Sequence, residues 1–354
     1  MVYKGYPRHA RCEQSSRLSQ CTKNSGIWQD EKYISTGFQF AGESLSSFKI
    51  MTNLLPIAHH DAYAHPLPPG HRFPMVKYEL IAEQLVYEGI VKPDNFFQPD
   101  LATRETIGLA HDMDYVDALL ELRLSPQMVR RIGFPMTRSL VEREQLLVDG
   151  TLQAAVKALI TGVAFNTAGG THHAGRNFGE GFCLFNDQAV AAAYLNQRGL
   201  AKKILIIDLD VHQGNGTAHI FEGHTEIRTF SIHAERNFPF KKEKSYADIA
   251  LPDGIDDMQY LETLTQHLPA LFEEIRPDFA FYQAGVDVLN TDKLGKFCLT
   301  GQGCRRRDEL VFQTCKEYGV PVQVSMGGGY SIHVKDIVNA HVATYRSAID
   351  IFEF

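Results

Sequence analysis

A single α/β domain, with a central, mainly parallel sheet flanked by helices and its site at the carboxyl ends of the strands, is what three features of this 354-residue chain predict. From Met51 onward, short apolar runs alternate with helical patterns. The run Ile204–Asp208 leads directly into Leu209-Asp210-Val211-His212-Gln213-Gly214-Asn215-Gly216, which puts acids, an imidazole and glycines at the end of a buried strand. Several other apolar runs also end in polar, glycine-containing segments. Alternation along an extended segment predicts that Asp208, Asp210 and His212 point to one side.

The strands are expected at 54–58, 162–167, 203–208, 227–232, 278–284 and 320–326. A helix over 187–198 is expected from Asn186 as its cap and Gly199 as its stop, and a second over 306–318 is closed by Gly319. The whole of 51–354 reads as one domain. Residues 1–50 differ: they hold seven Lys/Arg and four Asp/Glu without apolar period, and predict a disordered extension. Three readings of it stay open: a spurious extension upstream of a start at Met51, a flexible natural tail, or an Arg/Ser-rich organellar targeting segment. Trp28, the only Trp, leaves a local docking role open for this stretch.

Composition bounds the function. The chain is 44% hydrophobic and 22% charged, ordinary for a protein with a large core. Its net charge of −7 leaves −10 on residues 51–354, which argues against a nucleic-acid groove and suits cationic partners. No apolar run approaches the roughly 18 residues of a membrane span. Six cysteines without a CxxC pair, and no secretory signal, predict a reduced cytoplasmic setting. No feature of the sequence speaks to oligomeric state.

Four further segments stand at strand ends or in an early loop. Gly169-Gly170-Thr171-His172-His173-Ala174-Gly175 carries a tandem imidazole pair, and Gln283-Ala284-Gly285-Val286-Asp287 a lone carboxylate. Met326-Gly327-Gly328-Gly329-Tyr330 carries a phenol, and the Pro-rich loop from His65 to Arg72 a guanidinium. Singly, these could be a hydrogen-bonded His pair, a turn and a Pro loop. Together they fill the roles of metal-assisted hydrolysis. Asp210, His212 and Asp287 supply three ligands and leave a position open, a catalytic zinc arrangement that could also accept Fe²⁺. A bound metal would lower the pKa of water to roughly 7 and polarise a carbonyl. His172 and His173 would handle protons, and Tyr330 the oxyanion.

At these residues the chain resembles the zinc-dependent histone deacetylase family, in the arginase/deacetylase superfamily. GGTHHA, GFC, DLDVHQGNG, QAGVD, LGKFCLT, RRDELVF and GGGY carry the resemblance across most of 51–354. HQGNG and RRDELVF are most similar to class IV and its bacterial relatives. The resemblance implies zinc on Asp210, His212 and Asp287, Asp208 behind His172, Asn215 behind His173, and Tyr330 on the substrate carbonyl. It implies that the Gly181 carbonyl accepts from the scissile amide N–H, that Phe182, Phe238 and Leu294 wall an acyl-lysine channel, and that Arg72 sits by an internal product cavity. A monovalent cation near Asp208 and Ser231 is implied as well.

Two departures stand out. Asn215 replaces the Asp of class I, which keeps a hydrogen bond and changes proton tuning. The rim segment Arg130-Arg131-Ile132-Gly133-Phe134-Pro135 carries no acid to grip a peptide backbone. The expected activity is hydrolysis of Nε-acyl-lysine in a protein or peptide. The alternatives are an acylated polyamine or other small amine as substrate, or a non-catalytic acyl-lysine binder. An arginase-like second metal is disfavoured, since Gly214 stands where a bridging carboxylate is needed.

Overall fold

The computed structural model describes residues 54–354; the expectations for residues 1–50, Trp28 included, lie outside them. Among the described residues eight parallel strands form one sheet. They are β1 (Ile57–Ala58), β2 (Phe96–Phe97), β3 (Val163–Asn166), β4 (Ile204–Asp208), β5 (Ile227–Ala234), β6 (Ala247–Leu251), β7 (Phe279–Gln283) and β8 (Val322–Ser325). Their spatial order is β2-β1-β3-β8-β7-β4-β5-β6. The helices used below are α1 (Lys77–Tyr87), α2 (Pro126–Ile132), α3 (Arg138–Thr161), α4 (Asp187–Gln197), α5 (Asn215–Phe221), α6 (Asp257–Ile275), α7 (Gly301–Glu317) and α8 (Val334–Phe352).

The central strands are buried on both faces, so their sequences are continuous apolar runs. Side chains still alternate. Leu205, Ile207, Ala280 and Tyr282 join the core under α6, α7 and α8, whereas Ile204, Ile206, Phe279 and Phe281 join the core under α3 and α4.

Register positions the site. Asn166 is paired with Ser325, Ser325 with Gln283, Gln283 with Asp208, and Asp208 with Ser231, so the strands end level. The loops after β3, β4, β7 and β8 therefore leave the sheet together.

Expected and observed elements differ at their ends. The first strand shrinks to two residues behind Pro56, and β8 begins after Pro321, since proline has no N–H for the ladder. Gly162, expected in a strand, is the C-cap of α3 at φ +84°. The helix expected from 306 starts at Gly301, where the Thr300 side chain accepts the Gly303 N–H at 3.0 Å. Asn186 caps α4 as expected, accepting from Ala189 N at 3.0 Å.

Candidate active site

Asp210, His212 and Asp287 are buried, and one potential ligand atom from each lies within 4.8 Å of the others. His212 Nδ1 faces Asp210 Oδ1 at 3.0 Å and Asp287 Oδ2 at 3.1 Å. Backbone N–H groups fix both carboxylates: Gly328 N donates to Asp210 Oδ2 at 2.9 Å, and Val211 N to Asp287 Oδ1 at 3.0 Å. Strand alternation is not what brings these groups together. β4 ends at Asp208, and Asp210 and His212 belong to the loop beyond it.

Charge makes this group fit a cation. Burial and the neighbouring Asp210 push Asp287 up to about 7 despite the pull of His212. Burial opposes the Asp210 charge too, but His172 and His212 outweigh it and hold that carboxyl well below its usual range. Two converging carboxylates with one imidazole make a donor set of the kind a divalent metal satisfies. Position 214 has no room for a carboxylate side chain: a Cβ on Gly214 would stand 2.1 Å from Asp208 Oδ2.

The tandem histidines sit on the loop after β3 and are differently backed. His172 Nδ1 donates to Asp208 Oδ2 at 2.7 Å, and His173 Nδ1 to Asn215 Oδ1 at 2.7 Å. Their Nε2 atoms are 3.1 Å apart. Burial disfavours charge on His172, yet Asp208 and Asp210 raise it to about 9. Burial, then the His172 and His212 charges, hold His173 well below its ordinary value. The two rings are thus unequally charged, His172 favoured as the imidazolium and His173 as the neutral imidazole.

Tyr330 follows the three glycines after β8 and is buried, its N–H donating to Asp292 Oδ2 at 2.6 Å. Burial first, then Asp287 and Asp210, push its phenol well above 10.0, so it is a hydrogen-bond donor at neutral pH. Gly181 and Phe182 both have left-handed backbones, at φ +56° and +70°. A Cβ on Gly181 would come within 2.8 Å of His173 Cδ2 and 2.9 Å of Phe238 Cε1, so only glycine fits. The strained Phe182 is held by Phe134 and Phe73, at ring separations of 5.1 and 5.2 Å. Phe238 stands edge-on to His173 at 4.9 Å, and Asn237 Nδ2 donates to the carbonyl of the half-buried Leu294 at 3.0 Å. One cavity is lined by Phe182, Gly181, the histidine pair, the three acid and imidazole groups, and Tyr330.

Arg72 lies elsewhere than expected. It is exposed, with its guanidinium 4.9 Å over the Phe182 ring, because the preceding His71 ties the loop to Gly133 O at 3.0 Å. The buried guanidinium on the cavity wall is Arg143 of α3, paired with Glu144.

Other contributors escaped the sequence reading. Asp187, read only as the start of a helix, accepts from the N–H groups of Gly170 and Thr171 at 2.9 and 2.8 Å and so clamps the His172 loop. Asp292 accepts from Leu294 N, Gly295 N and Tyr330 N. Arg307, visible only as part of RRDELVF, is fully buried; its Nη1 donates to Leu209 O and Gly285 O, tying together the loops that carry the three candidate ligands. Glu180 accepts from Asn215 Nδ2 at 2.6 Å. An acid between two glycines is the only signal the sequence holds for Glu180; Arg307 pairs with its neighbour Asp308, but the carbonyls that its Nη1 ties together lie far away in the chain.

Comparison with known proteins bears on the same region. The family model described as Histone deacetylase domain matches residues 71–345. An uncharacterized protein of Picosynechococcus sp. is 45% identical over 297 residues, which is 84% of this chain and 99% of that protein. Histone deacetylase 1 of Homo sapiens is 31% identical over 307 residues, 80% of this chain and 60% of that protein. A crystal structure of an HDAC homolog complexed with SAHA matches with a TM-score of 0.73 at 25% identity, covering 85% of this chain and 88% of that one.

Proposed function

This chain belongs to the histone deacetylase family, and from that premise we propose that it hydrolyses the amide of Nε-acyl-lysine side chains with zinc as its metal. The observation that carries the reading is the single cavity in which the Asp210–His212–Asp287 group, the unequally charged histidine pair and Tyr330 all meet. The HDAC homolog complexed with SAHA supports an acyl-lysine-like ligand. Zinc, or Fe²⁺ in its place, would be held by Asp210, His212 and Asp287 and would supply Lewis acidity toward the scissile carbonyl and toward water.

The remaining steps fall to side chains. His173 Nε2 accepts the proton of the attacking water, since burial and its charged neighbours keep this imidazole neutral. His172, kept charged by Asp208, holds the proton that leaves with the amine. Tyr330 donates to the oxyanion as it forms, the moment at which a fixed donor contributes most. The Gly181 carbonyl accepts from the scissile N–H, Phe182, Phe238 and Leu294 wall the acyl-lysine chain, and a monovalent cation beside Asp208 and Ser231 completes the reading. Asp208 and Ser231 are in register on neighbouring strands, which places two buried oxygen-bearing side chains side by side there.

Arg72 over Phe182 and Lys242 on the carbonyls of Asn237 and Pro239 place cations around Phe182 and Phe238. That charge favours a lysine side chain neutralised by its acyl group over a polyamine with further free cationic nitrogens. Class IV character would admit long acyl chains. The deciding experiment is a turnover panel on lysine peptides carrying acetyl to myristoyl groups, with acetylated polyamines and a chelator control. Turnover of peptides that the chelator abolishes is expected; turnover of polyamines alone would overturn the lysine reading.

A further inference from the structure

We infer that Glu180, backed by Arg131, is a positioning residue that sets which nitrogen of His173 carries the proton. Resting on the reading of His173 as the proton acceptor, the inference extends it to two residues that touch neither metal nor substrate.

Three contacts form a line inward from the surface. Arg131 of α2 is half-exposed and its Nε donates to Glu180 Oε2 at 2.6 Å. Glu180 Oε1 accepts from Asn215 Nδ2 at 2.6 Å, and Asn215 Oδ1 accepts from His173 Nδ1 at 2.7 Å. Glu180, Asn215 and His173 are all buried, so bulk water does not substitute for a missing partner. Arg131 is itself held by the Phe178 ring 4.4 Å from its guanidinium.

An asparagine amide can be turned end for end with little steric change, and by itself would serve His173 either way. Turned as here, its oxygen requires Nδ1–H on His173 and leaves Nε2 bare toward the cavity. Turned over, its NH₂ would face Nδ1, the proton would move to Nε2, and the imidazole could no longer accept there. The carboxylate of Glu180 breaks this tie. Paired with Arg131 it is an acceptor on both oxygens, so it binds the NH₂ of Asn215 and repels its carbonyl. An aspartate at position 215 would need no such neighbour, which connects Glu180 to the presence of Asn215.

The test is a pair of isosteric changes and their combination in the zinc-loaded full chain. In Glu180→Gln, Arg131 retains the amide oxygen, so the new NH₂ faces Asn215 and turns it over. In Asn215→Asp, two carboxylates meet where Nδ2 and Oε1 were 2.6 Å apart. Each single change is expected to lower kcat by about 10- to 100-fold with little change in KM. The double variant restores complementarity: the introduced amide donates its NH₂ to the introduced carboxylate, which in turn accepts from His173 Nδ1–H. It is expected to recover most of the loss. Independently of turnover, ¹⁵N NMR of histidine-labelled protein should show His173 as the Nδ1–H tautomer in the parent and the double variant, and as Nε2–H in Glu180→Gln. An unchanged His173 tautomer in folded Glu180→Gln, or losses that simply multiply in the double variant, would overturn the inference. Failure of the parent to turn over any acyl-lysine peptide would strike the functional reading instead, and the NMR result would still decide the role of Glu180.

Discussion

Replacing Gly328 with alanine adds one methyl group directly against two of the candidate metal ligands. The new Cβ would stand 2.0 Å from Asp287 Oδ2 and 2.8 Å from Asp210 Oδ2. Ordinary contact needs about 3.4 Å, so the nearer oxygen must retreat by about 1.4 Å. The loop cannot simply lift away, because the same residue's N–H is bonded to Asp210 Oδ2 at 2.9 Å. Metal-ligand distances tolerate only about 0.2 Å of error, so a shift of this size takes Asp287 out of any common coordination sphere with His212. Overpacking should cost the fold about 1–3 kcal/mol, which a core of this size survives. The expected result is a folded variant with less than about a tenth of the parent's zinc after equilibration at limiting metal, and kcat/KM lower by about 100-fold or more. Metal content by mass spectrometry and urea unfolding measure the two effects separately. A Gly328→Ala protein with full zinc content and parental kcat/KM would refute the reasoning.

Asp287→Asn keeps an oxygen for Val211 N but removes one of the two converging charges. The metal-free variant should unfold at or above the parent's midpoint, and added zinc, which raises the parent's midpoint, should leave it unmoved; a zinc-dependent rise would remove Asp287 from the ligand set. Tyr330→Phe should lower kcat about a hundredfold with a modest change in KM, because the phenol acts on charge that develops in the transition state. An effect confined to KM would make Tyr330 a binding residue only. His111 is buried between Gly175 O, 2.9 Å from Nδ1, and Asn186 N, which donates to Nε2 at 2.9 Å, and burial lowers its pKa from 6.5 to about 4. A lowered histidine contributes stability that is present above 6.5 and lost as pH falls through about 4, here about 1.4 kcal/mol per unit and about 3 kcal/mol in all. The unfolding free energy of the parent should therefore fall more steeply between pH 6.5 and 4 than that of His111→Gln; identical slopes would show that His111 is not the group responsible.

Chemistry-bearing residues were legible in the chain wherever local pattern and chemistry coincide. A buried parallel strand must be apolar on both faces, so β3, β4, β7 and β8 announce themselves, and polar groups at their ends must lie at one edge of the sheet. That alone puts Asp210, His212, Asp287, the histidine pair and Tyr330 at one edge of the sheet. Edge strands β2 and β6 lacked the same signal: one is two residues long and the other is only half-buried.

What only the tertiary structure decided are the relations between loops. Level strand ends, set by register, bring Asp287 and His212 within 3.1 Å although 75 positions separate them in the chain. Whether a guanidinium lies outside over Phe182, as Arg72 does, or inside the cavity wall, as Arg143 does, depends on the path of a loop and the face of a helix. Likewise Arg307 and Glu180 act through backbone carbonyls and an amide contributed by other segments. A sequence states which donors and acceptors exist; the proton positions and charges at this site follow from which of them are buried against one another, and that is a property of the packed chain alone.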